Sequence, residues 1–197
     1  EPMPAEQRTK FLANIRGEVA RIQQLVDRLL ELSSLEARKA LRQTEQLDAG
    51  ELATEAVAAM RAAFSAKNVT LTIDREPISF ALRGERVLLR EALVNLLQNA
   101  WDFSPAGSAV TLSARRDGQR GVFTVDDQGP GIPEYAAERI FERFYSLPRP
   151  GTTRKSTGLG LALVREIAHL HGGEAAVTNR PEGGARAMLW LPLAGSA

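Results

Sequence analysis

The sequence predicts an α+β protein: a two-layer α/β sandwich with helices on one face of a mixed or antiparallel sheet, preceded by a long α-helix. Three observations carry this expectation. Apolar residues between Ala5 and Lys39 recur at helical spacing over many turns. Of the sixteen glycines only Gly17, Gly50 and Gly84 precede residue 100, so turns and special loops gather in the second half. The elements then read in the order αββαββ(α)αββ.

From about Ala5 to Lys39, the residues Leu12, Ile15, Val19, Ile22, Val26 and Leu29 step by 3, 4, 3, 4 and 3, a coiled-coil seam. Leu25, Leu30 and Leu32 widen the apolar face beyond one partner's needs and point to a bundle of more than two helices. A helix of roughly 50 Å is too long to fold back on one compact domain. Packing against its own domain is the simpler alternative. A second helix runs from about Ala49 to Ala66, with Asp48 as its N-cap. Residues 69–74 (VTLTID) and 78–82 (ISFAL) alternate like strands, with Pro77 in the connection. Glu85 to Asp102 is the next helix. Residues 108–116 and 121–127 form a hairpin around Asp117-Gly118. Residues 145–157 (YSLPRPGTTRKST) lack apolar periodicity and read as a mobile loop. A helix from about Gly158 to His171 and strands at 174–179 and 185–193 complete the chain.

Composition excludes several chemistries. The 197 residues carry 25 basic and 24 acidic side chains, so a net charge of +1 gives no global attraction to nucleic acid or anionic membrane. Cysteine is absent, which removes disulfides, thiolate metal sites and cysteine nucleophiles. No apolar run approaches the ~18 residues of a membrane span, and EPMPAEQRTK lacks a signal-peptide pattern, so a soluble chain is expected. Histidine occurs only at His169 and His171.

Three constellations carry chemistry. On the helix from Glu85 to Asp102, Leu89, Leu93, Leu96, Leu97 and Ala100 form a core face. Glu91, Asn95 and Asn99 fall at i, i+4 and i+8 on another face. A merely solvated face would more cheaply use Lys, Glu or Gln, because asparagine is a mediocre helix former. Two aligned amide oxygens beside a carboxylate suit a hard cation such as Mg²⁺. The second constellation is Asp127-Gln-Gly129-Pro-Gly131 at a strand end. It reads as an ordinary turn, or as a carboxylate accepting from an exocyclic amine where glycines let a flat base approach. The third, Ser156-Thr157-Gly158-Leu159-Gly160-Leu161, opens a helix whose N-terminus is ready for phosphate. It is neither a Walker A nor a Rossmann loop. Arg154 and Lys155 just before it either meet a polyphosphate or form an ordinary solvated pair.

In order, REALVNLLQNAWDFSP, DQGPGIP, IFERFYS, a basic loop and TGLGLALVREIAHLHGG resemble the catalytic ATP-binding domain of sensor histidine kinases. They are similar to that family's N box, first glycine box, F box and second glycine box, and EAAVTNRPEGGARAMLWLP resembles its closing hairpin. The resemblance covers roughly residues 46–197 and implies a Bergerat-type fold that binds ATP and Mg²⁺. It implies that Asn95 and Asn99 hold Mg²⁺ and that Glu91 orients a metal-bound water. It assigns adenine reading to Asp127 with Gly129 and Gly131, and adenine stacking to Phe103. Phe141 and Phe144 anchor the lid. Thr157, Gly158, Leu159, Gly160 and Leu161 lie on the phosphate side, as does Arg143. Where many members carry Lys or Arg, this chain has Asp102: either a lid cation such as Arg154 or Lys155 replaces that residue, or Asp102 helps bind metal.

Residues 1–45 resemble the second helix of the family's dimerisation and phosphotransfer hairpin; residues 46–197 are the expected catalytic domain. The phosphoacceptor helix is absent from this sequence, and neither histidine matches it; His171 is expected near a helix C-terminus, where a cation is favoured. The implied protein is a cytoplasmic portion of a homodimeric sensor that passes the γ-phosphoryl of ATP to a histidine and onward to a response-regulator receiver domain. No contact with nucleic acid or membrane is expected of this chain, which should bind ATP without autophosphorylating. Two other classes compete with this one: an ATP-hydrolysing relative of the gyrase and mismatch-repair ATPases with Glu91 as general base, and a degenerate nucleotide-sensing dimerisation module. The F box and the bundle helix favour the kinase over the first, and the intact N and glycine boxes favour it over the second.

Overall fold

The computed structural model describes residues 5–74, 80–150 and 156–195. Helix α1 (Ala5–Glu36) has two unlike ends. Leu12, Ile15, Val19, Ile22, Val26 and Leu29 stay exposed along the seam, whereas Leu32 and Leu35 are buried in the core of the following domain. The helix stops at Glu36 rather than Lys39, and the connection that follows is tied down. There the Arg38 guanidinium and the Arg42 backbone N–H both donate to the Glu85 carboxylate.

Strand β1 (Glu45–Asp48) leads directly into α2 (Ala49–Ala66). The Asp48 carboxylate accepts from the Glu51 N–H at 2.9 Å, the expected N-cap. The remaining elements are β2 (Thr70–Ile73), β3 (Ala81–Gly84), α3 (Arg86–Phe103), β4 (Ala109–Asp117), β5 (Arg120–Asp126), a 3₁₀ turn at Glu134–Ala136, α4 (Gly160–Leu170), β6 (Glu174–Asn179) and β7 (Ala185–Pro192). Two of them depart from expectation. β1 carries no alternating signal and is revealed only by its antiparallel partner β3, with Leu47 opposite Leu82. The strand expected at 78–82 begins at Ala81, where this pairing starts; residues 78 and 79 lie outside the described residues.

Five strands form a mixed sheet in the order β2-β4-β5-β7-β6. β2 and β4 are parallel, and every other neighbouring pair is antiparallel. Period-2 alternation turns Val110, Leu112, Phe123, Val125, Leu189 and Leu191 to one face. There they meet Leu89, Leu93, Leu96, Leu97 and Ala100 of α3 and Leu163 and Ile167 of α4 in one core. Thr111, Ser113 and Thr124 remain partly exposed on the reverse face. The result is the expected two-layer sandwich, with a long helix ahead of it.

His171 caps the C-terminal end of α4, but not as a cation. Its Nε2 accepts from the Glu85 N–H at 3.1 Å and its Nδ1 meets the Ile167 carbonyl at 2.7 Å. Burial pushes its pKa down, against the pull of Ile167 and Glu85. The ring is therefore neutral, with its proton assigned to Nδ1 by these partners. Among the described residues no helix is long and apolar enough to cross a membrane.

Candidate functional site

The 3.6-residue period of α3 brings Asn95, Asn99, Asp102 and Phe103 to one side of a cleft of about 720 Å³. Opposite them the chain enters α4, and Thr157, Gly158, Gly160 and Leu161 line that wall. α1 supplies another boundary through Gln24, Asp27, Arg28 and Glu31. The segment after the 3₁₀ turn supplies Ile140, Tyr145, Ser146, Leu147 and Arg149. A smaller, mostly apolar hollow of about 90 Å³ adjoins the cleft and ends on Asp127, Gly131 and Ile132. Asn99, Phe103, Ile140, Leu147 and Leu161 line both, so the two spaces run together.

At the apolar end, Asp127 follows β5 and is buried. Its Oδ1 accepts from the Gly129 N–H at 2.7 Å and the Ala185 N–H at 3.0 Å. Burial pushes this carboxyl up, opposed by those two N–H donors and by Arg180. Among the described residues no hydrogen bond reaches Oδ2, which leaves an acceptor for an incoming N–H. Gly131 lines the hollow, whereas Gly129 contributes its N–H to Asp127 instead. Phe103 lies at the junction of the two spaces.

At the polar end, α4 begins at Gly160 without a side-chain cap, leaving first-turn N–H groups for another acceptor. A Cβ added to Gly160 would lie 3.1 Å from Asn95 Oδ1, so this amide oxygen sits beside the start of the helix. Asn95 Nδ2 donates to the Glu91 carbonyl at 2.9 Å, which fixes the amide's orientation. Asn99 Nδ2 is buried without a partner. The Leu159 side chain turns into the core, and its N–H donates to Thr157 Oγ1 at 3.4 Å. The Phe144 N–H donates to the Gly158 carbonyl at 2.9 Å, joining the aromatic segment to the glycine loop. The Phe144 ring itself is exposed, and the Arg165 guanidinium lies 5.9 Å from the Phe141 ring centre.

Four expected residues stand off the cleft or lie outside the described residues. Glu91 does not line the cleft; its carboxylate accepts from Arg28 Nη1 at 2.7 Å, with Glu31 on the same guanidinium. Burial and the neighbouring Glu31 push its pKa up to about 7, while Arg28 pulls it down. Arg143 also lies off the cleft, and its guanidinium pairs with Glu36 of α1. Arg154 and Lys155 lie outside the described residues. Asp102 is buried, with Oδ2 held by Arg149 Nη2 at 2.5 Å and Oδ1 by Gln98 Nε2 at 3.1 Å.

Sequence reasoning missed Arg149 and the four α1 residues. Arg149 stands between two prolines in an aperiodic stretch, and the only signal for it was the unexpected acid at position 102. The α1 residues carried the polar pattern of an ordinary solvated face.

A family model described as histidine kinase-, DNA gyrase B-, and HSP90-like ATPase matches residues 84–195. Sensor protein CreC of Escherichia coli (strain K12) is 42% identical over 191 residues, 97% of this chain and 40% of CreC. Sensor-like histidine kinase SenX3 of Mycolicibacterium smegmatis is 31% identical over 184 residues, 93% of this chain and 48% of SenX3. The crystal structure of full-length ShkA in complex with AMPPNP superposes with a TM-score of 0.81 at 28% identity, over 100% of this chain and 41% of that one. The chain thus spans less than half the length of each of these relatives. With its motifs gathered around one cleft in this fold, the chain belongs to the histidine kinase-, DNA gyrase B- and HSP90-like ATPase family, as a catalytic ATP-binding domain of the sensor histidine kinase kind.

Proposed function

We propose that this chain holds Mg-ATP for a protein-histidine kinase and, in the whole protein, presents the γ-phosphoryl to a histidine on a helical bundle. The observation that carries this is the continuity of the two spaces: an apolar hollow ending on a buried carboxylate opens into a polar cleft at an uncapped helix N-terminus. Adenine fits the first, donating its exocyclic N–H to Asp127 Oδ2 while Phe103 flanks it. The polyphosphate fits the second, where the α4 amides and the asparagines offer fixed dipoles that need no reorganisation.

Magnesium suits the donor set. Asn95 Oδ1 has no partner among the described residues, and Asn99 lines the same cleft with an amide oxygen of its own. Among the described residues no cluster of three acidic or histidine side chains could hold an ion alone, so phosphate and water would complete the shell. When bound, the ion neutralises phosphate charge.

In the transfer, the bond between the γ-phosphorus and its bridging oxygen breaks, a phosphorus–nitrogen bond forms to the imidazole, and ADP leaves. His171 has both ring nitrogens engaged and is buried, and His169 lies exposed in the last turn of α4, off the cleft. The acceptor is therefore supplied by another segment. Residues 1–45 act as the second helix of a dimerising bundle and residues 46–197 as the catalytic domain. The phosphoryl group then passes to a response-regulator aspartate, in a cytoplasmic setting.

Calorimetric titration of the chain with ATP and adenosine, with and without Mg²⁺, tests this reading. Asp127→Ala should weaken both ligands about tenfold or more. Asn95→Ala should weaken ATP only when Mg²⁺ is present. Unchanged affinities in both variants would overturn the assignment. Incubation with γ-labelled ATP should leave no acid-labile phosphohistidine on this chain.

A further inference from the structure

Two cations among the described residues line the cleft, Arg28 and Arg149, and their surroundings differ. Arg28 faces two carboxylates, Glu91 at 2.7 Å and Glu31 at 3.4 Å, with Asp27 also on that wall. That corner carries surplus negative charge. Arg149 faces one carboxylate, Asp102 at 2.5 Å. Behind Asp102, Lys67 Nζ donates to the backbone carbonyls of Trp101 and Asp102. Two cations thus flank one acid at this corner, Arg149 on the cleft beside Ser156, Thr157 and Gly158, and Lys67 behind it.

The donors at this corner are also incompletely used. Arg149 Nε is buried without a partner, as is Asn99 Nδ2 across the same cleft. Unfilled buried donors are costly, and an anionic oxygen is the ligand that satisfies them. Asp102 offers none of its own oxygens to such a ligand, because Arg149 and Gln98 occupy both. Its burial instead fixes where the guanidinium stands.

We propose that Arg149 is the cation that receives the nucleotide's polyphosphate, and that Asp102 is a positioning residue whose buried carboxylate holds Arg149 at the cleft. This rests on the nucleotide reading above and deepens it. A negative residue on the cleft wall thus serves an anionic ligand by ordering a cation drawn from the adjoining loop. The guanidinium retains free N–H groups while one edge is held, so it meets phosphate with little ordering left to lose.

Titration of the 197-residue chain with ADP and with adenosine, both without Mg²⁺, isolates this contact from the metal. Arg149→Met should weaken ADP about tenfold and leave adenosine unchanged. Asp102→Asn should also weaken ADP selectively, and the double variant should bind ADP no worse than Arg149→Met alone. Asp102→Lys placed in the Arg149→Met background should recover part of the lost ADP affinity, which a purely structural role for either residue would not give. Thermal melts of each variant report folding, and the Arg149→Met result stands by itself if Asp102 variants fail to fold. An unchanged ADP-to-adenosine ratio in Arg149→Met overturns the proposal, as do additive losses in the double variant. A wild-type chain that binds neither ligand overturns the nucleotide reading itself.

Discussion

The Arg28 guanidinium on α1 donates to the Glu91 carboxylate on α3 across 2.7 Å, joining the long helix to the wall of the cleft. Burial and Glu31 push the Glu91 pKa up to about 7 from its ordinary 4.5, and Arg28 only partly offsets them. Between those values the folded chain holds a proton that the unfolded chain has released. Stability from this group therefore falls as pH rises from about 4.5 to about 7, and the loss is complete above that window. Glu91→Gln keeps an acceptor for Arg28 without the buried charge. It should be more stable than wild type at about pH 8 and about equal at about pH 4.5. Urea denaturation of both proteins across that range checks this, and parallel pH curves would refute it.

His171 contributes the opposite slope. Burial holds its folded pKa below the ordinary 6.5, so the unfolded chain takes up a proton first as the medium is acidified. Stability from this group is complete above about pH 6.5 and is lost as pH falls toward the lowered folded value. Since Glu91 acts in the other direction over an overlapping window, each group is read from the difference between wild type and its own variant. His171→Ala strips the side-chain partner from the Glu85 N–H, leaves the Ile167 carbonyl with its backbone bond from the residue-171 N–H, and empties the space against Gly84. A loss of about 2–4 kcal/mol is expected at pH 7.5, measured by denaturant titration. A loss below about 0.5 kcal/mol would mean that another group accepts from the Glu85 N–H in its place.

These contrasts mark how far the sequence could be read. α2 was legible to its ends because Asp48, a helical apolar stripe and the terminal turn all agree over 49–66. β6 and the Asp117-Gly118 hairpin were legible because strand alternation and turn chemistry coincide. β1 was not, since only Leu47 of its four residues is buried and one apolar residue defines no period. The asparagine positions followed from helical geometry, which depends on spacing alone. The Arg149–Asp102 pair is a contact across 47 residues, and the Arg28–Glu91 pair spans 63; no local pattern encodes either. The neutral state of His171 is equally hidden from local pattern: a helix terminus favours a cation only where water still reaches the ring, and this ring is buried.

Gly184 fixes the far end of the apolar hollow. It has φ +84°, and a Cβ there would stand 2.1 Å from the Asp127 carbonyl oxygen. Backbone on both sides leaves no flexible side chain to yield. Gly184→Ala should therefore displace Asp127, costing more than about 2 kcal/mol and weakening adenosine binding along with ATP. Gly183, with φ +95° but nothing within 4 Å of an added Cβ, is the matched control. Gly183→Ala should cost about 1–2 kcal/mol in backbone strain and leave adenosine affinity as it was. Denaturant titration and calorimetry of the two variants separate strain from loss of the site, and equal adenosine affinities would refute the link through Asp127.

α1 should respond to mutation according to where along it the change falls. Leu32 is 1% exposed and packs into the domain core, whereas Ile15 on the same helix is 42% exposed on the seam. Truncating the first removes buried methyl groups and opens a cavity beside α1's docking site; truncating the second removes groups that water already reaches. Leu32→Ala is expected to cost about 2–5 kcal/mol and Ile15→Ala less than about 0.5 kcal/mol. If the N-terminal half of α1 is held only by its own helical bonds, its amides should exchange with solvent far faster than those around Leu32 and Leu35. A lone helix of that half is marginal in water, so protection there would have to come from another helix seated on Leu12, Ile15, Val19 and Ile22. Hydrogen exchange at low and high protein concentration distinguishes the two. Slow, concentration-independent exchange along residues 11–26, together with a large Ile15→Ala loss, would show that the seam is already buried within one chain.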